Sequence, residues 1–165
     1  MIRIVLVEPE IPQNAGNIMR TCAATGVELY LVKPLGFELD DKHYKRAGLD
    51  YFEYSTVKVV DSFDEIKKLF PETPFFYAST KAPKAHTDAQ FPNDCCIVFG
   101  KESYGLSETI LKNNYQNCIR IPMKKETRSL NLATSVGIIL FEALRQNNYP
   151  NLSSEGSLTG RIEKD

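Results

Sequence analysis

The sequence lacks several features that would assign it to common functional classes. Its 165 residues carry 20 Lys and Arg against 21 Asp and Glu, so neither sign of charge is in excess. This balance argues against a protein held to nucleic acid by bulk basicity, although a local basic face remains compatible with it. Hydrophobic residues make up 42% and charged residues 25%, a composition that is compatible with a core and a soluble surface and argues against disorder. We expect one globular domain.

Cysteine is scarce, and its spacing does not suit a disulfide framework or a zinc site. Cys22, Cys95, Cys96 and Cys118 form no C-x-x-C pair and stand in apolar surroundings, so we interpret them as reduced core thiols. The start of the chain lacks the basic and long apolar regions of a signal peptide, and no apolar run approaches the roughly 18 residues of a membrane span. We therefore expect a soluble, cytoplasmic protein without membrane contact.

Familiar catalytic and phosphate-binding motifs are also missing. The loop after the first predicted strand, EPEIPQNAGNI, has no G-x-G-x-x-G, and no G-x-x-x-x-G-K-S/T occurs, so Rossmann dinucleotide binding and P-loop chemistry are unsupported. A hydrolase using Ser129 or Cys96 is poorly supported, because nothing places His43 or His86 beside either nucleophile.

What the sequence does contain is a regular alternation of strands and helices. Buried apolar runs predict strands at residues 2–7, 28–33, 57–60, 75–79, 95–99 and 118–121. Caps and apolar periodicity predict helices at residues 14–25, 62–70, 107–113 and 130–146, with Asn14, Ser62, Ser107 and Ser129 at their N-termini and Gly26 ending the first. The pattern predicts an α/β fold, a single-domain and mostly parallel sheet with helices on both faces. We expect the domain to span residues 1–150 and residues 151–165 to form a flexible polar tail.

Three segments combine polar side chains with predicted strand ends, where α/β proteins bind ligands. In NAGNIMRT, helical spacing predicts Asn14, Asn17 and Arg20 near one face, although a capped helix with an exposed arginine is the simpler interpretation. In VFGKESYGL, Gly100 would allow a ligand close to the backbone and Glu102 would offer an acceptor. An ordinary strand-to-helix turn explains this second segment equally well.

The third segment runs from IRIPM into RSLNLA at the start of the most apolar predicted helix. Asn131 falls in its predicted first turn and needs a partner, because an unpaired buried amide is costly. A structural partner and a ligand are both open possibilities.

Taken together, these segments resemble a known family. NAGNIMRTCAATG, GFELDDKHYKRAGLDY, FGKESYGL and IRIPM with SLNLATSVGIILFEALRQ are similar, in order and spacing, to SPOUT-class RNA 2′-O-ribose methyltransferases. Within that class the chain resembles the small single-domain tRNA wobble-position enzymes of the TrmL type, over nearly all of residues 1–150. The resemblance implies a SPOUT fold with a C-terminal trefoil knot, which physical priors alone would not favour.

The resemblance also implies a cofactor, S-adenosyl-L-methionine, without a metal. Its pocket would be lined by Ala78, Gly100, Ile121, Met123, Ser129 and Leu130. The implied reaction transfers the methyl group to the ribose 2′-hydroxyl of the wobble cytidine or modified uridine, with leucine tRNAs as the expected substrates. Asn14, Arg20, Glu102 and Asn131 would form the catalytic group. Arg20 suits stabilisation of charge better than proton abstraction, because a guanidinium does not readily lose its proton.

RNA recognition needs cations for phosphates and rings for unstacked bases. The resemblance assigns this role to Lys42, Tyr44, Lys45, Arg46, Lys124 and Arg128. On composition alone, rings that close the sheet edge and solvated charges would be the simpler explanation. Lys101 and Tyr104 depart from the family pattern, and Tyr104 stands where a basic residue is common.

The predicted helix at residues 130–146 has almost no polar face, so it is either central or buried against a second chain. The resemblance implies a homodimer that pairs through the first and last helices and binds a tRNA anticodon loop. Two alternatives remain open: 2′-O-methylation of another RNA site, and a non-catalytic module that binds S-adenosylmethionine or RNA.

Overall fold

The computed structural model describes residues 1–39 and 57–158. Its strands are β1 (Ile2–Val7), β2 (Glu28–Val32), β3 (Val57–Val60), β4 (Phe75–Ala78), β5 (Lys84–Ala85), β6 (Cys95–Phe99) and β7 (Cys118–Arg120). Its α-helices are α1 (Pro12–Thr25), α2 (Phe63–Leu69), α3 (Glu108–Asn113) and α4 (Leu132–Gln146). The strands form one seven-stranded sheet in the order β3-β2-β1-β6-β4-β7-β5, and every neighbouring pair is parallel.

Helices cover both faces of this sheet, as the sequence pattern predicts. Successive residues of a strand point to opposite faces. Thus Ile4 of β1 packs in one cluster with Ile18 of α1 and Ile139 of α4. Val5 packs in the other cluster with Ile66 of α2 and a leucine of α3. Burial on both faces explains why β6 is a continuous apolar run and why β1 is apolar apart from Arg3.

Two predicted helix caps are wrong. α1 begins at Pro12, with extended Ile11 at its N-cap, so Asn14 lies inside the helix. Proline suits this first turn because its missing N–H would have no helical partner. α4 is capped by Asn131, whose Oδ1 accepts a hydrogen bond from the Thr134 amide at 3.2 Å, and Ser129 lies outside the helix.

The other caps are confirmed. The hydroxyls of Ser62 and Ser107 accept hydrogen bonds from Glu65 and Ile110 amides, each at 3.3 Å. Gly26 ends α1 in the left-handed conformation, with φ at 68°. That conformation is open to glycine without the strain a Cβ would impose.

The shortest elements escape the sequence pattern. β5 has two residues and pairs with β7 at the edge of the sheet, and short 3₁₀ turns occupy His86–Asp88 and Tyr115–Asn117. Neither kind of element is long enough to show hydrophobic periodicity.

All four cysteines are buried and free, which confirms their interpretation as core thiols. Burial raises the pKa of Cys22 and Cys95 to about 12, and that of Cys96 to about 11. No helix within residues 1–39 and 57–158 has the length and apolarity needed to cross a membrane.

An ionic cluster ties the amino-terminal edge of the sheet together. Arg3 of β1 donates to Asp94, which precedes β6, at 2.6 Å, and the terminal amine of Met1 contacts the same carboxylate at 3.0 Å. The guanidinium of Arg3 also lies 4.2 Å from the centre of the Phe70 ring. Hydrogen bonding from Arg3 and then from the terminal amine lowers the pKa of Asp94 to about 2.

This cluster predicts a pH-dependent contribution to stability. Because the folded pKa of Asp94 lies below the value of about 3.9 in an unfolded chain, its contribution is present above about pH 4 and is lost as the pH falls through about 2. Asp94→Asn should lower the free energy of unfolding at neutral pH by no more than about 1 kcal/mol, since the side chain is 57% exposed. Urea titrations followed by circular dichroism should show the two proteins converging in acid. Asp88→Asn is the control, and a gap that persists at about pH 2 would contradict the assignment.

Candidate active site

The site is built where four parallel strands end side by side. β1, β6, β4 and β7 are neighbours in the sheet, so the loops that follow them lie at the same edge. Those loops carry the start of α1, the segment FGKESYGL and the approach to α4. Because the strands that precede them are adjacent in the sheet, the three polar segments lie at one edge.

The loop after β6 is a tight turn closed by its own backbone. A Cβ on Gly100 would lie 2.1 Å from the carbonyl carbon of Gly105, and the Gly105 amide donates to the Lys101 carbonyl at 2.9 Å. Gly105 is itself left-handed, with φ at 70°. The group that closely approaches Gly100 is thus the backbone of residues 105–106. This contact explains why a glycine is needed here without invoking a ligand.

The turn presents the carboxylate of Glu102 to the start of α1. One oxygen, Oε2, accepts a hydrogen bond from the Glu10 amide at 2.7 Å. The other, Oε1, accepts from the Ile11 amide at 3.2 Å and from Nδ2 of Asn14 at 3.0 Å. A carboxylate at a helix N-terminus is stabilised by unpaired amides and by the helix dipole. Glu102 thereby holds the two residues that precede α1, whereas the N-cap residue Ile11 has no side-chain cap hydrogen bond.

Asn14 connects this carboxylate to the start of α4. Its side chain is buried, and its Oδ1 accepts a hydrogen bond from Nδ2 of Asn131 at 2.9 Å. The acceptor-only carboxylate of Glu102 fixes which way the Asn14 amide points, because Nδ2 must face it. We call these hydrogen-bonded side chains of Glu102, Asn14 and Asn131 the amide row. Asn131, expected to need a partner, finds it in Asn14.

A second set of contacts ties the same two loops together. The carboxylate of Glu10 accepts from the Ser103 hydroxyl at 2.8 Å and from its amide at 2.9 Å, which lowers the pKa of Glu10. Lys101 pairs with Glu8 at 2.8 Å, and hydrogen bonding to this carboxylate raises the pKa of Lys101. The partners are 93 residues apart in each case, so no local spacing indicates them.

Arg20 is set apart from the amide row along α1. It lies on the exposed side of the helix, roughly 9 Å further along the axis than Asn14 at 1.5 Å per residue. Asn17 is also exposed, whereas Asn14 is buried, so the three residues do not share one environment. The amide row therefore brings together Asn14, Glu102 and Asn131, and Arg20 stands beyond it.

The candidate cofactor residues follow neighbouring strands. Ala78 ends β4, paired in register with Ile119 of β7, and Gly100 follows β6. Ala78 and Ile121 are partly buried against the core, and Met123 is half-buried. Ser129 and Leu130 are exposed just before α4. Within the described part of the chain, no three His, Cys, Asp or Glu side chains are grouped so that they could hold a metal ion.

Only part of the candidate RNA surface falls on described residues. Lys124 and Arg128 are exposed in the segment between β7 and α4, and the Tyr104 side chain is exposed at the tip of its loop. Four candidates lie outside the described residues: Lys42, Tyr44, Lys45 and Arg46.

Relatives with names and structures match nearly the whole chain. A tRNA (cytidine(34)-2'-O)-methyltransferase from Aeromonas hydrophila is 45% identical over 150 residues, covering 90% of this chain and 96% of the relative. The enzyme of the same name from Yersinia pestis is 44% identical over 156 residues, covering 91% and 96%. A solved structure described as "Structural insights into the 2-OH methylation of C/U34 on tRNA" superposes with a TM-score of 0.85 at 42% identity, covering 90% and 97%.

The family itself is defined by a model that spans most of the fold. The model of the SpoU rRNA Methylase family matches residues 1–141, a range that contains the sheet and the whole amide row. With this match and the near-complete relatives above, the chain belongs to the SpoU rRNA Methylase family.

Proposed function

We propose that the protein transfers a methyl group from S-adenosyl-L-methionine to the ribose 2′-hydroxyl of the wobble nucleotide of tRNA, a cytidine or modified uridine, with leucine tRNAs as substrates. The observation that carries this proposal is the 44–45% identity to tRNA (cytidine(34)-2'-O)-methyltransferases over nine-tenths of the chain. We further propose that residues 1–150 are the catalytic domain, that residues 151–165 are a dispensable tail, and that the enzyme works in the cytoplasm.

The residues at the carboxyl ends of β4, β6 and β7 fit the cofactor. Ala78, Ile121 and Met123 offer apolar surface for an adenine. Ser129 and Leu130 would complete the pocket from the start of α4. When bound, the cofactor supplies an electrophilic methyl group, and this chemistry requires no metal.

The chain's own residues must hold the ribose hydroxyl in line with that methyl group. The amide row supports this role, because every side chain in it is fixed by at least two hydrogen bonds. Both oxygens of Glu102 already accept hydrogen bonds, so its part is to orient Asn14. Arg20 would stabilise the developing alkoxide or clamp an adjacent phosphate.

Substrate binding would use exposed cations next to this site. Lys124 and Arg128 are exposed beside the amide row's α4 end and form no ion pair within residues 1–39 and 57–158. Such side chains suit backbone phosphates of an anticodon loop. We assign Lys42, Tyr44, Lys45 and Arg46 to the same surface on the family resemblance.

We also propose the homodimer and the knot that the family implies. α1 and α4 pack together, and α4 leaves Ile138 37% and Phe141 47% exposed on its outer side. Adjacent exposed apolar residues favour a partner surface. A knot is supported by the position of β7, which lies in the sheet between β4 and β5 although the chain joins those two strands directly.

The central prediction is methylation at the wobble ribose. The purified protein, incubated with S-adenosyl-L-methionine and tRNA from a strain that lacks its own copy, should make the linkage after the wobble nucleotide resistant to alkaline hydrolysis. A transcript with a deoxyribose at that position is the control and should accept no methyl group. Absence of wobble methylation, with cofactor binding demonstrated, would refute the proposal. Methylation of ribosomal RNA instead would favour the alternative that the family's description suggests.

Glu102→Gln tests the amide row. The glutamine side chain keeps one acceptor oxygen, but its NH2 group would face a backbone N–H that Glu102 now accepts from. The free energy of unfolding should therefore fall by about 1–3 kcal/mol. A misaligned Asn14 should lower kcat at saturating substrates by roughly tenfold or more. Glu108→Gln, an exposed carboxylate at the start of α3, is the matched control. If Glu102→Gln lost stability but kept wild-type kcat, the row would be purely structural.

The dimer is tested by mass. Light scattering at micromolar concentration should give a mass of about twice the 18.7 kDa of one chain. Phe141→Glu should lower that mass to the mass of one chain, because a charge cannot be buried in an apolar contact without a partner. Leu69→Glu, which alters a 52% exposed leucine on α2, is the control and should remain dimeric. A wild-type mass of one chain would overturn the assignment.

A further inference from the structure

A basic cleft opens at the edge of the sheet, beside β5 and β7. Its volume is about 380 Å³, and three cations line it: Lys84 of β5, Arg120 at the end of β7 and Lys125 beyond it. Pro83, Pro122 and Met123 give it an apolar lining. The sequence pattern did not indicate Lys84, because the two-residue strand that carries it has no periodicity.

The three cations are unbalanced within the described residues. No carboxylate lines the cleft, and none of the three side chains forms an ion pair within residues 1–39 and 57–158. Elsewhere in these ranges, lysines such as Lys33, Lys58 and Lys101 each contact a carboxylate within 3.0 Å. Lys84 and Arg120 are also half-buried. An anionic ligand would balance the positive charge of the cleft.

The local geometry leaves room for such a ligand. Arg120 pairs in register with Ala85, and both residues line the cleft. The Arg120 carbonyl lies 3.3 Å from Nδ1 of buried His86, which anchors the backbone at this point. A guanidinium and two ammonium groups around a cleft match the oxygens of a phosphate, and the proline surfaces match a ribose.

We propose that this cleft binds a backbone phosphate of the substrate RNA, at a subsite formed by Lys84, Arg120 and Lys125. The inference rests on the proposed RNA substrate. Exposed Lys124 stands in the sequence between two residues that line the cleft, Met123 and Lys125, and exposed Arg128 follows three residues later. Anionic oxygens also occur in the carboxylate of the cofactor, and the experiment separates these two sources.

The test measures RNA affinity and cofactor affinity separately. Lys84→Gln, Lys125→Gln and the double variant are titrated with fluorescent tRNA by anisotropy, and with S-adenosyl-L-methionine by calorimetry. Each single variant should weaken tRNA binding roughly three- to tenfold at physiological salt and lower the salt slope by about 1. Cofactor affinity should stay unchanged. Lys68→Gln, an exposed lysine on α2 with the same loss of charge, is the matched control.

Each other outcome overturns the proposal. If the double variant binds tRNA like Lys68→Gln, the cleft does not contact RNA. If cofactor affinity falls while tRNA affinity is kept, the cleft belongs to the cofactor pocket. Thermal melting of every variant checks that binding losses do not reflect unfolding. Because anisotropy needs no turnover, failure of the wild-type protein to methylate tRNA would refute the proposed function without deciding the phosphate subsite.

Discussion

The carboxylate of Glu102 is the contact on which the candidate site depends. It accepts two backbone hydrogen bonds where α1 begins and a third from Asn14, and through Asn14 it reaches the N-cap of α4. Hydrogen bonds to a charged group contribute about 1.5–3 kcal/mol each. Three loops that are distant in sequence are therefore fixed relative to one another by one side chain. The same hydrogen bonds at the start of α1 also orient the side-chain amides of Asn14 and Asn131 at the edge of the sheet.

The two edges of the sheet are stabilised mainly by different interactions. At the amino-terminal edge, Arg3, Asp94 and the terminal amine form an ionic cluster exposed enough to be screened by solvent. At the carboxyl edge, backbone amides and a buried asparagine act beside the Lys101–Glu8 ion pair. A fixed network of hydrogen bonds preserves geometry better than flexible surface charges, which suits the edge where we propose that the reacting atoms are aligned.

The sequence predicted the class of fold well because the sheet is buried on both faces. The strands predicted at Ile2–Val7, apolar apart from Arg3, and at Cys95–Phe99 are confirmed at both ends. The helix starts were harder, because local rules compete with distant partners. Asn14 has the chemistry of a cap, but it lies inside α1 and its side chain donates to Glu102, 88 residues away. Ser129 and Asn131 are both good caps, and only the contact with Asn14 distinguishes them.

Gly100 illustrates what a motif can and cannot indicate. Its Cβ position is filled by the backbone of residues 105–106, so the turn demands glycine whether or not anything binds nearby. A homologue that had lost catalytic activity would still need a glycine at this position. The glycines of this segment are therefore markers of the architecture of the turn, not of a bound ligand.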